Sequence, residues 1–372
     1  MDVVPADAFK LAVAAGEVAI EFGQLAPAAG RRGQTGVAVT DRVVLPLEAG
    51  RRLLLWLEES LRPHAVALQA AGAKALAPQE AAAAARPGQV TARPSVDRSG
   101  ERAAELLRLI SSWEAPHQYE RSLRLSARGI QANRFLLTLN ARDIPGDASR
   151  EALAICDRMG IPPVLRAAAE AKFAMANCVH FGFEGDQDSI ICKLYLERAV
   201  PPAEARAAHA AGQKVLLHLA FKWDLMTSAA VTTRYHWFPY LTASQIERRL
   251  SSLYRDEAAP SFAIASAMLR LAAGRVPAER LQYLEVEEAE NERRSFDLNL
   301  YDAGLRVSDA QPFLQRMREH FAIRPGQFQA LYDQVKALQL GHLAGGLHRE
   351  GRDFFNLYYG AVGLPQFSKG RP

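Results

Sequence analysis

Cys192-Lys-Leu-Tyr-Leu-Glu197 alternates without a break: Lys193, Tyr195 and Glu197 share one face of an extended chain, and Cys192, Leu194 and Leu196 share the other. Side chains along a strand project with a period of two, so the run predicts a β-strand with one greasy face and one polar, aromatic face. The form recurs. Asn299-Leu-Tyr301 and Asn356-Leu-Tyr358 again place a polar group and a tyrosine on one side, with Phe296, Leu298 and Leu300, or Phe355 and Leu357, on the other. Arg234-Tyr-His236, closed by Pro239, reads as a variant of the same pattern.

Working outward, each run is one arm of a strand pair. Five pairs are written between residues 118 and 360: 118–126 with 131–140, 178–184 with 189–197, 214–223 with 231–240, 281–287 with 293–302, and 339–348 with 353–360. Arg128-Gly129, Gly185 to Asp188, Asn291-Glu292 and Arg349-Glu350-Gly351 carry hairpin-turn chemistry; the third turn, Leu225 to Ala230, has neither Gly nor Asn. Helical segments separate the pairs. One runs over 101–114; Ser149 caps another, ended by Gly160; Pro162-Pro163 open a third through Asn177; a short one lies near 202–212. Thr242-Ala-Ser-Gln245 has capping-box form, 260–274 starts with Pro and ends with Gly, and Ser308 opens the pair 309–320 and 325–339. A lone hairpin is marginally stable in water, so five of them must share a sheet, and ten antiparallel strands close into a barrel to remove their edges. The expectation is α+β: a ten-stranded antiparallel barrel ringed by helices, its polar face lining a chamber too wide for side chains alone to fill.

Three segments are expected: a small ββα module over 1–75, an Ala/Pro-rich linker over 76–100, and the barrel domain over 101–372. In the first, strands near 10–23 and 36–46 form a hairpin and Leu47 to Gln69 a helix. It identifies no activity and offers a surface for a protein partner. The apolar fraction of 49% and charged fraction of 23% are those of a globular protein. A net charge of +4 without Lys/Arg runs argues against nucleic acid. Cys156, Cys178 and Cys192 form no disulfide framework or zinc knuckle, no basic-then-apolar leader is present, and no window nears 18 apolar residues, so a cytoplasmic chain without a membrane span is expected.

The repeated helix and hairpin units with Lys-x-Tyr and x-Tyr strands resemble the aromatic prenyltransferases of the ABBA or PT-barrel type, over about residues 101–372. Phe181-Gly-Phe-Glu184 and Cys192 to Glu197 look most like the cyanobactin branch, which prenylates peptide side chains. The resemblance implies a transferase that moves an allylic group from a prenyl diphosphate to an electron-rich aromatic acceptor, a small molecule or a peptide. It matches Lys193 and Tyr195 to the family's Lys-x-Tyr, Arg234, His236 and Pro239 to a variant with His in the Tyr place, and Tyr301 and Tyr358 to the later tyrosines. No cofactor is required by it, although Mg²⁺ helps some members hold the diphosphate. Asn299 and Asn356 depart from the pattern, standing where a stronger cation binder is expected.

Alternation places further residues inside: Thr138, Asn140, Gly182, His218, Asp297, His342 and His348. Arg124, Lys193, Lys222 and Arg234 are the cations expected to converge on a diphosphate, unless they pair with Glu184, Glu197 or Asp297 as structural ion pairs. Tyr195, Tyr301 and Tyr358 either shield a carbocation or simply pack the barrel. Glu184 is the preferred general base, because enclosure raises a carboxyl pKa, and His180 competes for that role. Histidines on several strands also suit a metal, but no H-x-H pair accompanies them and no metal ligands are assigned. Two other function classes stay open: a barrel that binds a small molecule or peptide without turnover, and a metal-dependent enzyme using the inward histidines.

Overall fold

The computed structural model describes residues 8–14, 17–27, 35–46 and 98–363, apart from 187, 255, 257, 258 and 289–292. The chain divides into two compact units, Met1–Arg93 and Pro94–Pro372. In the first, β1 (Ala8–Ala14), β2 (Glu17–Pro27) and β3 (Thr35–Pro46) form a three-stranded antiparallel sheet in that order. The expected hairpin is therefore corrected to three strands. Ala14 pairs with Glu17 at one end of the β1–β2 ladder and Ala8 with Gly23 at the other. The helix expected over 47–69, the linker up to residue 97 and the turn Asn291-Glu292 lie outside the described residues.

The second unit is the barrel. Its strands are β4 (Gln118–Ser126), the short β5 (Gly129–Gln131), β6 (Arg134–Asn140), β7 (Cys178–Gly185), β8 (Ile190–Glu197), β9 (Val215–Asp224), β10 (Ala230–Phe238), β11 (Gln282–Glu288), β12 (Arg294–Asn299), β13 (Leu340–Leu347) and β14 (Asp353–Val362). All neighbours run antiparallel, and β14 pairs back onto β4 over Phe354↔Ser126 to Val362↔Tyr119, which closes ten of these strands into a ring. The first pair differs from expectation in one respect. β4 changes partner along its length, pairing with β6 through Gln118–Arg121 and with β5 through Arg124–Ser126, so the expected strand 131–140 breaks at Ala132 and Asn133. Asn133 holds the break: its amide donates to Ser99 Oγ at 2.8 Å and its carbonyl accepts from the Gly185 N–H at 3.0 Å.

Eight helices are described around the ring: α1 (Arg98–Ser111), α2 (Ala148–Arg158), α3 (Pro163–Glu170), α4 (Pro202–Ala210), α5 (Ala243–Tyr254), α6 (Pro260–Ala273), α7 (Gln311–His320) and α8 (Pro325–Val335). The cap of α2 is Asp147, not Ser149: its carboxylate accepts from the Arg150 N–H at 2.9 Å. Thr242 and Gln245 exchange both bonds of a capping box ahead of α5. Helices α1 to α3 and α5 to α8 place apolar residues in two clusters against the outer face of the sheet. α1 to α3 cover Leu137, Leu139, Phe181, Phe183, Leu194 and Leu196; α5 to α8 cover Tyr283, Phe296, Leu298, Phe355 and Leu357. The two hydrophobic clusters therefore lie outside the barrel, between sheet and helices, and the interior is lined mainly by polar and aromatic side chains, with Leu284, Val286 and Phe354 among them.

Leu194 has no solvent exposure and sits in the first of these two clusters. Truncation to Ala is expected to lower stability by about 2–5 kcal/mol, seen as an earlier urea midpoint, because the rigid sheet cannot collapse onto the space. A loss below about 1 kcal/mol would contradict this account of the core.

Candidate functional site

One half of the chamber is cationic. Arg124 comes from β4, Arg134 from the start of β6, Lys193 from β8, Lys222 from β9, and Arg293 stands just before β12. Register puts Lys193 directly opposite Lys222 on adjacent strands, and like charges so placed repel. Lys193 donates to Glu184, which also accepts Arg134 at 2.5 Å. Gly182, opposite Lys193, makes room for it: a Cβ there would lie 3.2 Å from carbons of the lysine chain. Glu288 is held in the same way by Arg293 at 2.8 Å and Arg349 at 3.0 Å. Lys222 is only 7% exposed. Among the described residues its bond goes to the Tyr235 hydroxyl at 3.2 Å, with the tyrosine ring 5.4 Å away, and no carboxylate pairs with it.

The electrostatic cost shows in the acid–base behaviour. Burial pulls Lys193 down to about 8, with Arg134 adding to the pull and Glu184 resisting it. Burial, Arg293 and Lys193 hold Lys222 well below the ordinary lysine range. Burial and Arg134 bring Arg124, whose guanidinium stacks 4.2 Å over Phe354, down to about 10. An unpaired buried ammonium is expensive, and an anion seated between these groups would offset that cost.

Tyr195, Tyr235 and Tyr358 occupy the middle, lining both halves of the chamber. The rings of Tyr195 and Tyr235 lie 5.6 Å apart. Burial pushes all three phenols up, Tyr235 to about 12, so they stand as neutral aromatic walls.

The opposite half carries carboxylates and imidazoles: Glu120, His180, Glu197, His218, Asp297 and His342, with Asn299 and Tyr301. Glu120 is 6% exposed and accepts from the Tyr301 hydroxyl. The glycine at 341 allows that approach, since a Cβ there would fall 2.5 Å from the Tyr301 oxygen. Burial raises the Glu120 carboxyl above its usual range, against the opposing pull of His342 and Tyr301. His342 Nδ1 lies 2.7 Å from Asp297, and His180 bridges Thr138 at 2.8 Å and Glu197 at 3.0 Å.

Of the residues singled out in the sequence, Arg124, Lys193, Tyr195, Lys222, Asn356 and Tyr358 share one cavity, with Glu184. Arg234 and His236 do not enter it. β10 turns Tyr235 inward, opposite His218, so its neighbours face out: Arg234 is exposed and His236 Nδ1 lies 3.3 Å from Glu287. A register shift between Tyr235 and His236 marks the strand, and its alternation was ambiguous because Thr232, Arg234 and His236 make the outer face polar too. Glu184 is also corrected. Burial alone would raise its carboxyl, but Arg134, Lys193 and Arg124 hold it well below the usual carboxylate range, so it is a fixed counter-ion and a poor base. Asn299 and Tyr301 stand at the carboxylate end; Tyr301 lies past β12, in a 3₁₀ turn over Tyr301–Ala303. Four residues were missed. Glu120 shares the parity of Arg124 and was readable from it, whereas Arg134 and Arg293 border turns, where a charge ordinarily meets solvent, and Tyr235 was assigned to the wrong face.

No protein-family model matches the chain, and no curated protein does. Among solved structures it is similar to 5-dimethylallyltryptophan synthase from Streptomyces coelicolor, with 15% identity over 68% of this chain and 82% of that one and a TM-score of 0.46. It is also similar to the prenyltransferase PriB (16% identity, 65% and 79% covered, TM-score 0.45) and to AnaPT from Neosartorya fischeri (14%, 67% and 78%, 0.41). The Streptomyces synthase has also been solved in complex with DMASPP and Trp.

Lys193 titrates near 8 when folded and near 10.5 when unfolded. Within that interval the unfolded chain binds more protons, so stability is expected to rise as pH climbs from about 8 toward 9.5. Lys193→Met should flatten the rise, measured as melting temperature against pH. A slope identical in wild type and variant would refute the assignment.

Proposed function

We propose that the chain is an aromatic prenyltransferase, moving an allylic group from a prenyl diphosphate to an electron-rich aromatic acceptor inside the barrel. The observation that carries this reading is the facing pair Lys193 and Lys222, the first nearly enclosed and the second buried without a carboxylate partner among the described residues. A diphosphate supplies the missing negative charge, and Arg124 supplies a forked donor beside it. The C–O bond to the allylic carbon breaks, the electron pair leaves with the diphosphate, and these cations stabilise the charge that develops on the leaving oxygen. Tyr195, Tyr235 and Tyr358 stand next to the cation site and surround the allylic cation with ring faces, each worth about 2 kcal/mol when desolvated. The acceptor then enters from the carboxylate end. Its ring carbon forms the new C–C bond, and Glu120, a buried carboxylate of raised basicity, takes the proton the ring releases.

The cationic half offers Mg²⁺ no uncommitted carboxylate at Glu184 or Glu288, each already claimed by two cations, so a magnesium ion there would be held through the diphosphate oxygens and water. Lys193, Lys222 and Arg124 supply the positive charge that the chain itself brings to the leaving group. An aromatic side chain of a peptide is the acceptor class that the likeness of Phe181-Gly-Phe-Glu184 to the cyanobactin branch favours.

Lys193→Ala or Lys222→Ala is expected to weaken dimethylallyl diphosphate binding at least tenfold without lowering the melting temperature, while Arg234→Ala leaves it unchanged. Unaltered donor affinity in both lysine variants would overturn the proposal. Glu120→Gln should lower kcat for pyrophosphate release by roughly 10²–10⁴ with little change in donor affinity, because a general base acts in the transition state. Tight donor binding with no pyrophosphate release across indole, phenol and peptide acceptors would identify a binding protein instead.

A further inference from the structure

His180, Glu197 and His218 leave a question that proton transfer to an acceptor does not answer: three ligand-type groups, from three successive strands, point at one spot. Glu197 and His218 sit directly opposite on β8 and β9, and Glu197 also faces Cys178 on β7, two residues from His180. One ligand atom from each lies within 4.8 Å of the other two. Glu197 Oε2 is 3.0 Å from His180 Nε2 and 3.5 Å from His218 Nδ1. Nitrogen and oxygen ligands about 2.1 Å from a metal, at 90° to 109°, are separated by about 3.0–3.4 Å, so these edges match one face of a coordination sphere.

A second observation points the same way. The far nitrogen of His180, Nδ1, bonds Thr138 Oγ1 at 2.8 Å, which fixes the ring and aims Nε2 at Glu197. Metal-bound histidines are commonly oriented by such an outer partner. The ring of Tyr195 meets His180 edge-on at 6.1 Å and that of Tyr235 meets His218 at 5.7 Å, restricting both imidazoles further. All three ligands line the chamber, so the remaining coordination positions open onto it.

We propose that His180, Glu197 and His218 bind a divalent first-row transition metal, zinc(II) or iron(II), facing the carboxylate end of the chamber. Two imidazoles and one carboxylate on one face select such ions over magnesium or calcium, which prefer oxygen alone. The open positions would accept a heteroatom of whatever molecule occupies that end. The site lies away from the lysine pair, and the proposal does not depend on the transferase reading.

The test uses the full chain, stripped with chelator and titrated with Zn²⁺ and, for its visible d–d bands, Co²⁺. One equivalent of metal is expected per chain, with affinity reduced at least a hundredfold in His180→Ala and His218→Ala. Thr138→Val, which keeps every ligand, is expected to lose roughly 10- to 100-fold, an effect typical of outer-shell partners. His342→Ala, a chamber histidine outside the triad, should bind within twofold of wild type. Should an alanine variant fail to fold, Glu197→Gln keeps the volume, removes the charge, and must show the same hundredfold loss. Wild type without d–d bands or retained zinc, unchanged affinity in the folded triad variants, or equal loss in His342→Ala would each overturn the site.

Discussion

Pairing of β14 with β4 turns a ten-stranded ribbon into a ring, and the chemistry of the interior depends on that closure. An open sheet would leave its polar face in water, where facing lysines are screened and each carboxylate is merely solvated. Closed and covered outside by helices, the same face encloses a region of low dielectric in which register sets every interaction. Register puts Lys193 against Lys222, Arg134 against Glu184, and Asn356 against Arg124. Both large hydrophobic clusters that stabilise the molecule lie on the other side of the sheet, so much of the interior is free to hold groups that cost stability.

Charge is segregated along the chamber. Cations gather where β6, β8, β9 and β12 bring their turn-proximal residues together, and the carboxylates that accompany them are neutralised in place. Imidazoles and carboxylates fill the other end, and three tyrosines, neutral across the working pH range, separate the two. A molecule with an anionic head, an apolar middle and an acceptor-facing end is complementary to that sequence of environments. The same segregation sets opposite acid–base behaviour: burial among cations lowers Lys193 and Lys222, whereas burial among acids raises Glu120.

Much of this was legible in the chain. The strict alternation of β8 assigned Lys193 and Tyr195 to the inner face correctly, because its outer residues Cys192, Leu194 and Leu196 leave no other choice. β10 offered no such contrast: Thr232, Arg234 and His236 are polar on the outside as well, so a motif likeness chose the wrong face. Arg134 and Arg293 border turns and resemble ordinary surface charges until the ring folds them inward.

The amino-acid order by itself determined the hairpin count of the second unit, the antiparallel order of its strands, the helix placement and the polarity of most strands, since each follows from period-two and helical spacing, turn residues and caps within a few positions of one another. Tertiary structure alone decided which side chains meet. Glu184 read as a base and became a counter-ion because Arg134, from another strand, reaches it; Glu120 acquired its raised basicity from burial, against the opposing hydrogen bond of Tyr301, 181 positions away. Register and enclosure are long-range properties, and the protonation of a buried group depends on neighbours that local sequence does not name.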